Sequence, residues 1–421
     1  MATQERKPPA RGSFWKRIAI RNQKGDAILV PVLAVVTAFV VGAFIIPWAD
    51  PIVLAAFSNF FGNPLGALGA ALASVGRAYG AMFTGAFGDP SLMVRGISVW
   101  LSTGETKEAL AAFRSLGESL VIATPYIFAG LGVALGFRGG LFNIGAEGQL
   151  FVAALASVFV GYAVKGLPWF VHLPLALLAG ALAGALWAAV PGYLKAKFGA
   201  HDVINTIMMN YIAFRLTDYL LNGPMQRPGG LPISYEILPT AALPALFSPP
   251  VRLHWGFFLA LGIAWLVYWF LWKTPAGLEI RMVGANPNAS RYAGIGITRT
   301  TVLTMALSGA LAGLAGAVTI LGIEHKVVRA FSSGYGFDAI SLALLGNSHP
   351  FGVVLASLMF GFLRGGAARM QSVAGTPVEL ISIIQGLTII FIAAPEIVRG
   401  LYRIRARREE GKQKTAEPST A

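Results

Sequence analysis

The 421-residue chain is 55% hydrophobic and only 12% charged, with a mean hydropathy of +0.65, which excludes a soluble globular protein and identifies an integral membrane protein. Its formal net charge of +14 does not point to nucleic acid: the cations are spread over loops and tails instead of one folded patch, so membrane topology and anionic lipid headgroups account for them. The absence of cysteine excludes disulfides and thiol chemistry.

Residues 1–27 form a basic tail. The first apolar run, ILVPVLAVVTAFVVGAFIIPWA from residue 28, is full-length and lacks a small-residue cleavage site, which predicts a retained helix at about 28–48 rather than a signal peptide. Residues 49–117 contain PLGALGAALASVGRAYGAMFTGAF, apolar enough to tempt a further crossing. Arg77 at its centre would cost roughly 2.5–3.5 kcal/mol to insert, and glycines interrupt it, so an outer-surface or interfacial helical region is expected instead. Spanning helices follow at about 118–137, 146–164, 173–194, 203–222, 254–272, 301–322, 351–370 and 379–397, each near the roughly 20 residues needed to cross the hydrocarbon core. The loop at 223–253 carries seven prolines, which argue against regular structure there. GFDAISLALLG at 336–346 has about half the required length and by itself reads as a re-entrant half-helix.

Charge settles how that short segment counts. Of 33 Lys and Arg, 21 fall in residues 1–26, at Arg138, Lys195 and Lys197, in 273–299, and in 399–414. If these share the cytoplasmic face, the number of crossings is even; ten satisfies this, and both termini are cytoplasmic. The transmembrane domain then covers 28–398, with an external region at 49–117, a cytoplasmic loop at 273–299 and a basic tail at 399–421.

An internal repeat is visible within this domain. Residues 173–212 and 349–389 each hold a small-residue helix, a short glycine-containing link, an acid (Asp202 or Glu379) and a second helix. Upstream, 118–137 parallels 301–322, and the Asn143 segment parallels GYGFDAISLALLG. The two copies enter the membrane from opposite faces under the topology above, so the repeat is inverted. The expected fold is therefore all-α: a polytopic membrane protein of about ten transmembrane helices with an inverted internal repeat. Gly132 and Gly136, Gly180 and Gly184, Gly309 and Gly313, and Gly361 and Gly365 have the GxxxG spacing that lets helix backbones approach.

The chain has no phosphate-binding loop, no HExxH and no GxSxG elbow, and its five histidines are scattered singly. No catalytic constellation, metal site or cofactor is expected in it, and ATP-driven work would fall to another chain. Attention turns to polar residues within helices, which usually face a bundle interior or a pathway. NIGAEGQ places Asn143, Glu147 and Gln149 at the expected cytoplasmic start of the helix at 146. Asn143 and Glu147 either cap that helix or line a path, and Asp338 near the start of its half-helix leaves the same choice open. Asn205 and Asn210 lie in the apolar run VINTIMMNYIAF, about 140° apart, so that one can bond a neighbouring helix while the other faces the path. In the loop 273–299, Gly284, Asn286 and Pro287 make a turn before the helical NASRYAGI. Either this segment tethers two spans at the interface or it docks into a soluble motor.

Four stretches, NIGAEGQ (143–149), HDVINTIMMNYIA (201–213), GLEIRMVGANPNASRYAGI (277–295) and GYGFDAISLALLGNSHPFG (334–352), resemble the permease subunits of bacterial nucleoside-type ABC importers. These permeases belong to a group that also includes ribose and branched-chain amino-acid permeases. The resemblance runs from about residue 117 to 398. It implies pairing with a second homologous permease, two ATP-binding subunits that carry ATP and Mg, and an extracytoplasmic substrate-binding lipoprotein, all at a bacterial cytoplasmic (inner) membrane. It also implies that Arg281, Gly284, Asn286, Arg291, Tyr292 and Gly294 belong to the segment that couples to the ATPase. Substrate-path candidates are Asn143, Glu147, Gln149, Asn205, Asn210 and Asp338. The rival readings are a permease for a sugar or other small polar solute, and a self-contained ion-coupled transporter.

Overall fold

The computed structural model describes residues 32–377, 379–394, 397, 398, 401 and 402. The basic tail at 1–27 and, apart from Leu401 and Tyr402, the tail at 399–421 lie outside the described residues.

Fifteen helices are described: α1 Val32–Ala49, α2 Pro51–Ser58, α3 Pro64–Phe87, α4 Pro90–Thr103, α5 Lys107–Arg138, α6 Ala146–Ala163, α7 Trp169–Phe198, α8 Asp202–Leu221, α9 Gly256–Lys273, α10 Pro275–Ala285, α11 Pro287–Tyr292, α12 Ile297–Thr319, α13 Tyr335–Leu345, α14 Pro350–Ala374 and α15 Glu379–Ala393. A π-turn at Ile320–Glu324 extends α12. Among the described residues there is no β-strand, only isolated bridges in the outer loops. Seven of the helices, α1, α5, α6, α7, α9, α12 and α14, are long and apolar enough to cross a membrane.

Local chemistry sets many helix ends. Asp50, Asn63, Asp89, Thr274 and Asn286 each accept a backbone N–H at a helix start, followed by proline in the first turn. Gly104, Gly199 and Gly375 close α4, α7 and α14 in the left-handed conformation.

Residues 46–381 form one compact unit. At its centre α5 is buried almost continuously from Gly117 to Gly136. The GxxxG glycines lie at helix crossings: a Cβ on Gly313 of α12 would stand 2.7 Å from the Gly180 carbonyl oxygen of α7, and one on Gly361 of α14 would stand 2.7 Å from Ala123 Cβ of α5. The packing is reciprocal. α5 lies against α14 as α12 lies against α7, and α13 lies against α5 as α6 lies against α12. The second unit comprises the described residues of 1–45 and 382–421; in it Ala34 and Val398 are buried together, and Thr37 Oγ1 lies 3.1 Å from Tyr402 Oη.

Residues 49–117 are helical, as expected, but α3 is an integral part of the bundle. Its 24 residues measure about 36 Å. Gly85 is pressed against Arg369 Cβ and Gly366 of α14, and the rings of Phe87 and Phe362 stand 4.5 Å apart. Arg77, the residue that argued against burial, is not a lone charge. Its Nη2 lies 3.0 Å from Asp50 Oδ2, which also accepts the Ser74 hydroxyl at 2.6 Å. The sequence spacing of 27 residues hid that partner.

Candidate functional site

Two helices begin face to face in the interior. Gly336, in the first turn of α13, donates its N–H to Glu147 Oε2 of α6 at 2.6 Å, and Glu147 is 3% exposed. The Ser332 hydroxyl bonds the same carboxylate. A Cβ on Gly336 would stand 2.5 Å from Glu147 Cα and 2.7 Å from the Ala146 carbonyl carbon, so only glycine permits the approach. The carboxylate sits in the first turn of α6 and answers an N–H at the start of α13, where the positive helix end favours an anion.

This junction is deep. Asn210 reaches it from α8, accepting from Gly148 N–H at 2.8 Å and donating to the Ile144 carbonyl at 3.0 Å. Asn210 stands eight residues, about 12 Å, beyond the start of α8. The start of α13 is similarly about 16 Å from its far end. There Arg138, the last residue of α5, holds the Asn347 and Ser348 carbonyls at 2.9 Å. NIGAEGQ spans the turn into α6 and its first residues. After α5 the chain turns back alongside it, and Asn143 Oδ1 and Ser308 Oγ lock that turn, so α6 begins within the bundle.

Asn143 and Gln149 satisfy each other. Their amides exchange two hydrogen bonds of 3.0 Å, while Asn143 also donates to Ser308 Oγ at 2.8 Å and accepts from Gly145 N–H at 3.0 Å. Both side chains are buried, joining α5, α6 and α12 as a brace. Asn205 lies apart, one turn nearer the start of α8, with a buried Nδ2 that has no hydrogen-bond partner. Asp338 Oδ2 accepts the Tyr126 hydroxyl at 2.7 Å and pairs with Arg364 Nη1 at 3.2 Å, and Arg364 Nη1 also donates to the Tyr126 hydroxyl. The Arg364 guanidinium additionally holds the Ser333 carbonyl at 2.8 Å and lies over the rings of Tyr126 and Tyr335. Asp338 thus fastens α13 to α5 and α14.

Of the six path candidates, Glu147 borders a cavity. The space holds about 260 Å³ and is lined by Glu147, Phe151, Phe214, Thr217, Asp218, Arg329, Ala330 and Ser332. Phe151 and Phe214 meet edge to face at 5.0 Å, and Phe331 backs Phe151 at 4.8 Å. Glu147, Ser332 and Thr217 offer acceptors and donors to a polar solute, and the phenyl faces suit a planar ring. Sequence reasoning missed Phe151, Phe214, Thr217 and Ser332, since nothing separates them from ordinary membrane-helix or loop residues before α8 and the loop at 325–334 are brought together. A larger hollow of about 760 Å³, lined by Trp100, Phe113, Phe247 and Phe258 among others, has no charged side chain in its lining. Among the described residues, no group of three His, Cys, Asp or Glu could hold a metal ion.

The family described as "Branched-chain amino acid transport system / permease component" matches residues 115–393. The chain belongs to this permease family. The matched span contains both helix starts at the Glu147 junction and every residue lining the cavity. Among relatives, the permease is 43% identical over 292 residues to the guanosine ABC transporter permease protein NupP of Bacillus subtilis, covering 68% of this chain and 82% of the relative. It is 39% identical to the glucose ABC transporter permease protein TsgB13 of Haloferax volcanii, with coverage of 70% and 80%. It is 33% identical to the nucleoside ABC transporter permease protein NupB of Lactococcus lactis, with coverage of 69% and 82%. No solved structure matches the permease.

The loop between α9 and α12 divides into an inner and an outer part. Arg281 of α10 lies over the Trp272 ring at 5.6 Å, and Arg138 over the same ring at 5.5 Å. Gly284 is pressed on the Gly139–Gly140 backbone, where a Cβ would stand 2.8 Å from both the Gly139 carbonyl carbon and Gly140 N. These two residues of the permease therefore seat α10 against the end of α5. Asn286 caps α11, accepting from Ala289 N–H at 3.1 Å. Arg291, Tyr292 and Gly294 are exposed, Tyr292 at 95%.

Proposed function

We propose that this permease is a transmembrane subunit of an ATP-driven ABC importer for nucleosides, acting in a bacterial cytoplasmic membrane with ten crossings and both termini in the cytoplasm. The observation that carries the reading is the buried carboxylate of Glu147, held where two helix starts meet at the floor of a cavity with phenyl walls. Discontinuous helices that meet inside a bundle are a recurrent way for transporters to build a solute site. A ribose hydroxyl donates to Glu147 or Ser332, and the base lies against Phe151 and Phe214. Two of the relatives, NupP and NupB, are named for guanosine and nucleosides, which supports this substrate class.

The same two organisms each have a second relative, named NupQ and NupC, at 30% and 31% identity, which supports a second homologous permease in the complex. Two ATP-binding subunits carry ATP and Mg, and an extracytoplasmic lipoprotein delivers substrate. The exposed Arg291, Tyr292 and Gly294 meet the ATP-binding subunit, and Arg281 and Gly284, seated against Trp272 and the Gly139–Gly140 backbone, pass its movement to α5. The packing of α5 on α14 as α12 packs on α7, and of α13 on α5 as α6 packs on α12, supports an inverted repeat that rocks about the Glu147 junction to expose the cavity alternately.

A sugar is the second reading, favoured by the 39% identity to the glucose permease protein and by a carboxylate that serves any hydroxylated solute. Uptake of labelled guanosine and of labelled glucose by vesicles holding the complete complex, with and without ATP, separates the two. ATP-dependent guanosine uptake is expected. Glucose uptake without guanosine uptake would replace the nucleoside reading, and uptake by this chain alone under a pH gradient would sink the ABC mechanism.

A further inference from the structure

The strap at 325–334 links α12 to α13 and roofs the Glu147 cavity. Its near end is pinned to the loop after α8: Ser234 N–H donates to the Val327 carbonyl at 3.0 Å, Val327 N–H to Ser234 Oγ at 2.8 Å, and Ile237 N–H to the His325 carbonyl at 2.9 Å. Its far end is pinned by Arg364 on the Ser333 carbonyl and by Glu147 on Gly336. Between the pins, Arg329 Nε lies 2.9 Å from Asp218 Oδ1, near the end of α8. Arg215 approaches the same carboxylate at 3.6 Å, so two guanidiniums share one acid. The adjoining Ala330 has φ +56°, a left-handed conformation that favours glycine, so this turn is held by its surroundings.

We propose that the Arg329–Asp218 ion pair is a latch closing the cavity on the extracytoplasmic side, and that its release opens the path to Glu147. The proposal rests on the reading of this cavity as the solute's stopping place. Both partners line the cavity, and they join two elements, α8 and the strap, that share no helix. The side chains are 58% and 32% exposed, and pairs so open to water bias an equilibrium by no more than about fivefold. That strength holds a closed state yet permits opening in every transport cycle.

The chain has no cysteine, so Thr217→Cys places its only thiol on the buried cavity wall. With the assembled transporter in cell membranes, labelling of that thiol by an impermeant maleimide added outside reads the opening of the cavity. Asp218→Asn and Arg329→Gln, each in the Thr217→Cys background, should raise the labelling rate about three- to fivefold, given the pair's expected strength. The exchange of Asp218→Arg with Arg329→Asp should return the rate toward that of the parent. An unchanged rate in Arg329→Gln, whose side chain is mostly exposed, overturns the latch. So does an exchanged pair that labels as fast as the single variants. Added guanosine should slow labelling in Arg329→Gln; latch-dependent labelling that guanosine does not slow would remove the cavity from the nucleoside path while leaving the latch in place.

Discussion

Glu147→Gln separates the two roles that meet in this side chain. The variant keeps the shape and one oxygen acceptor for Gly336 N–H, now 2.6 Å away, but loses the charge. A hydrogen bond to a charged group contributes about 1.5–3 kcal/mol and a neutral one about 0.5–1.5 kcal/mol, so the change weakens each bond made by this carboxylate by about 1–1.5 kcal/mol. Burial to 3% exposure leaves little solvent to screen the loss. Applied to one ribose hydroxyl, that difference raises KM for guanosine by roughly tenfold. Applied to Gly336, it loosens the start of α13 without leaving the N–H unpaired. Glu147→Ala differs: it strands a buried N–H at about 1–3 kcal/mol and opens a void, so the purified complex should melt at lower temperature as well. The assay is ATP-dependent guanosine uptake in proteoliposomes, normalised to assembled complex, beside thermal melting in detergent. Parental KM in the glutamine variant, with both variants altered only in melting, would refute a solute contact and leave Glu147 as a helix cap.

Asn210→Ala leaves Gly148 N–H and the Ile144 carbonyl without their partner, so about 2–4 kcal/mol is lost from the α6–α8 contact and assembly should fall on size-exclusion chromatography; intact assembly with lost uptake would return Asn210 to the path. Tyr292→Ala should leave melting unchanged, because the ring is 95% exposed, while lowering transport per ATP hydrolysed; normal coupling would remove α11 from the ATPase contact. His349, at the start of α14, has its pKa lowered from 6.5 by burial and by Arg138, so the folded protein resists its protonation. Its contribution is complete above 6.5 and is lost as pH falls below that value, which His349→Gln should abolish in melting curves taken from about pH 7.5 down to about pH 5.5.

Much of the fold was legible because bilayer thickness writes itself into run length. The expected span at 118–137 falls inside α5, that at 146–164 matches α6 within one residue, that at 301–322 is covered by α12 and its π-turn, and the short run at 336–346 is α13 within one residue. Helix extensions were not legible: α5 continues outward by eleven polar and apolar residues to Lys107, and α7 runs through Pro174 and Pro191. Hydropathy sees the hydrocarbon core and is blind to helix beyond it. The partner of Arg77 was not legible for a related reason, since Asp50 is brought to it only by the turn after α2.

By itself, the sequence determined that this chain spans a membrane, that it carries a four-motif permease signature, and that Glu147 and Asp338 lie at the starts of helices. It also placed small residues where α7 meets α12, because backbone proximity in lipid leaves no other choice of side chain. The tertiary structure decided what the polar residues do. Asn143 and Gln149 turned inward to satisfy each other, Asp338 found Tyr126 and Arg364, and Glu147 reached a cavity. The physical reason is that a buried polar group is defined by its partners, and several of these stand far away in the chain: Gly148 and Asn210 are 62 residues apart, Gly336 and Glu147 are 189 apart, and Tyr126 and Asp338 are 212 apart.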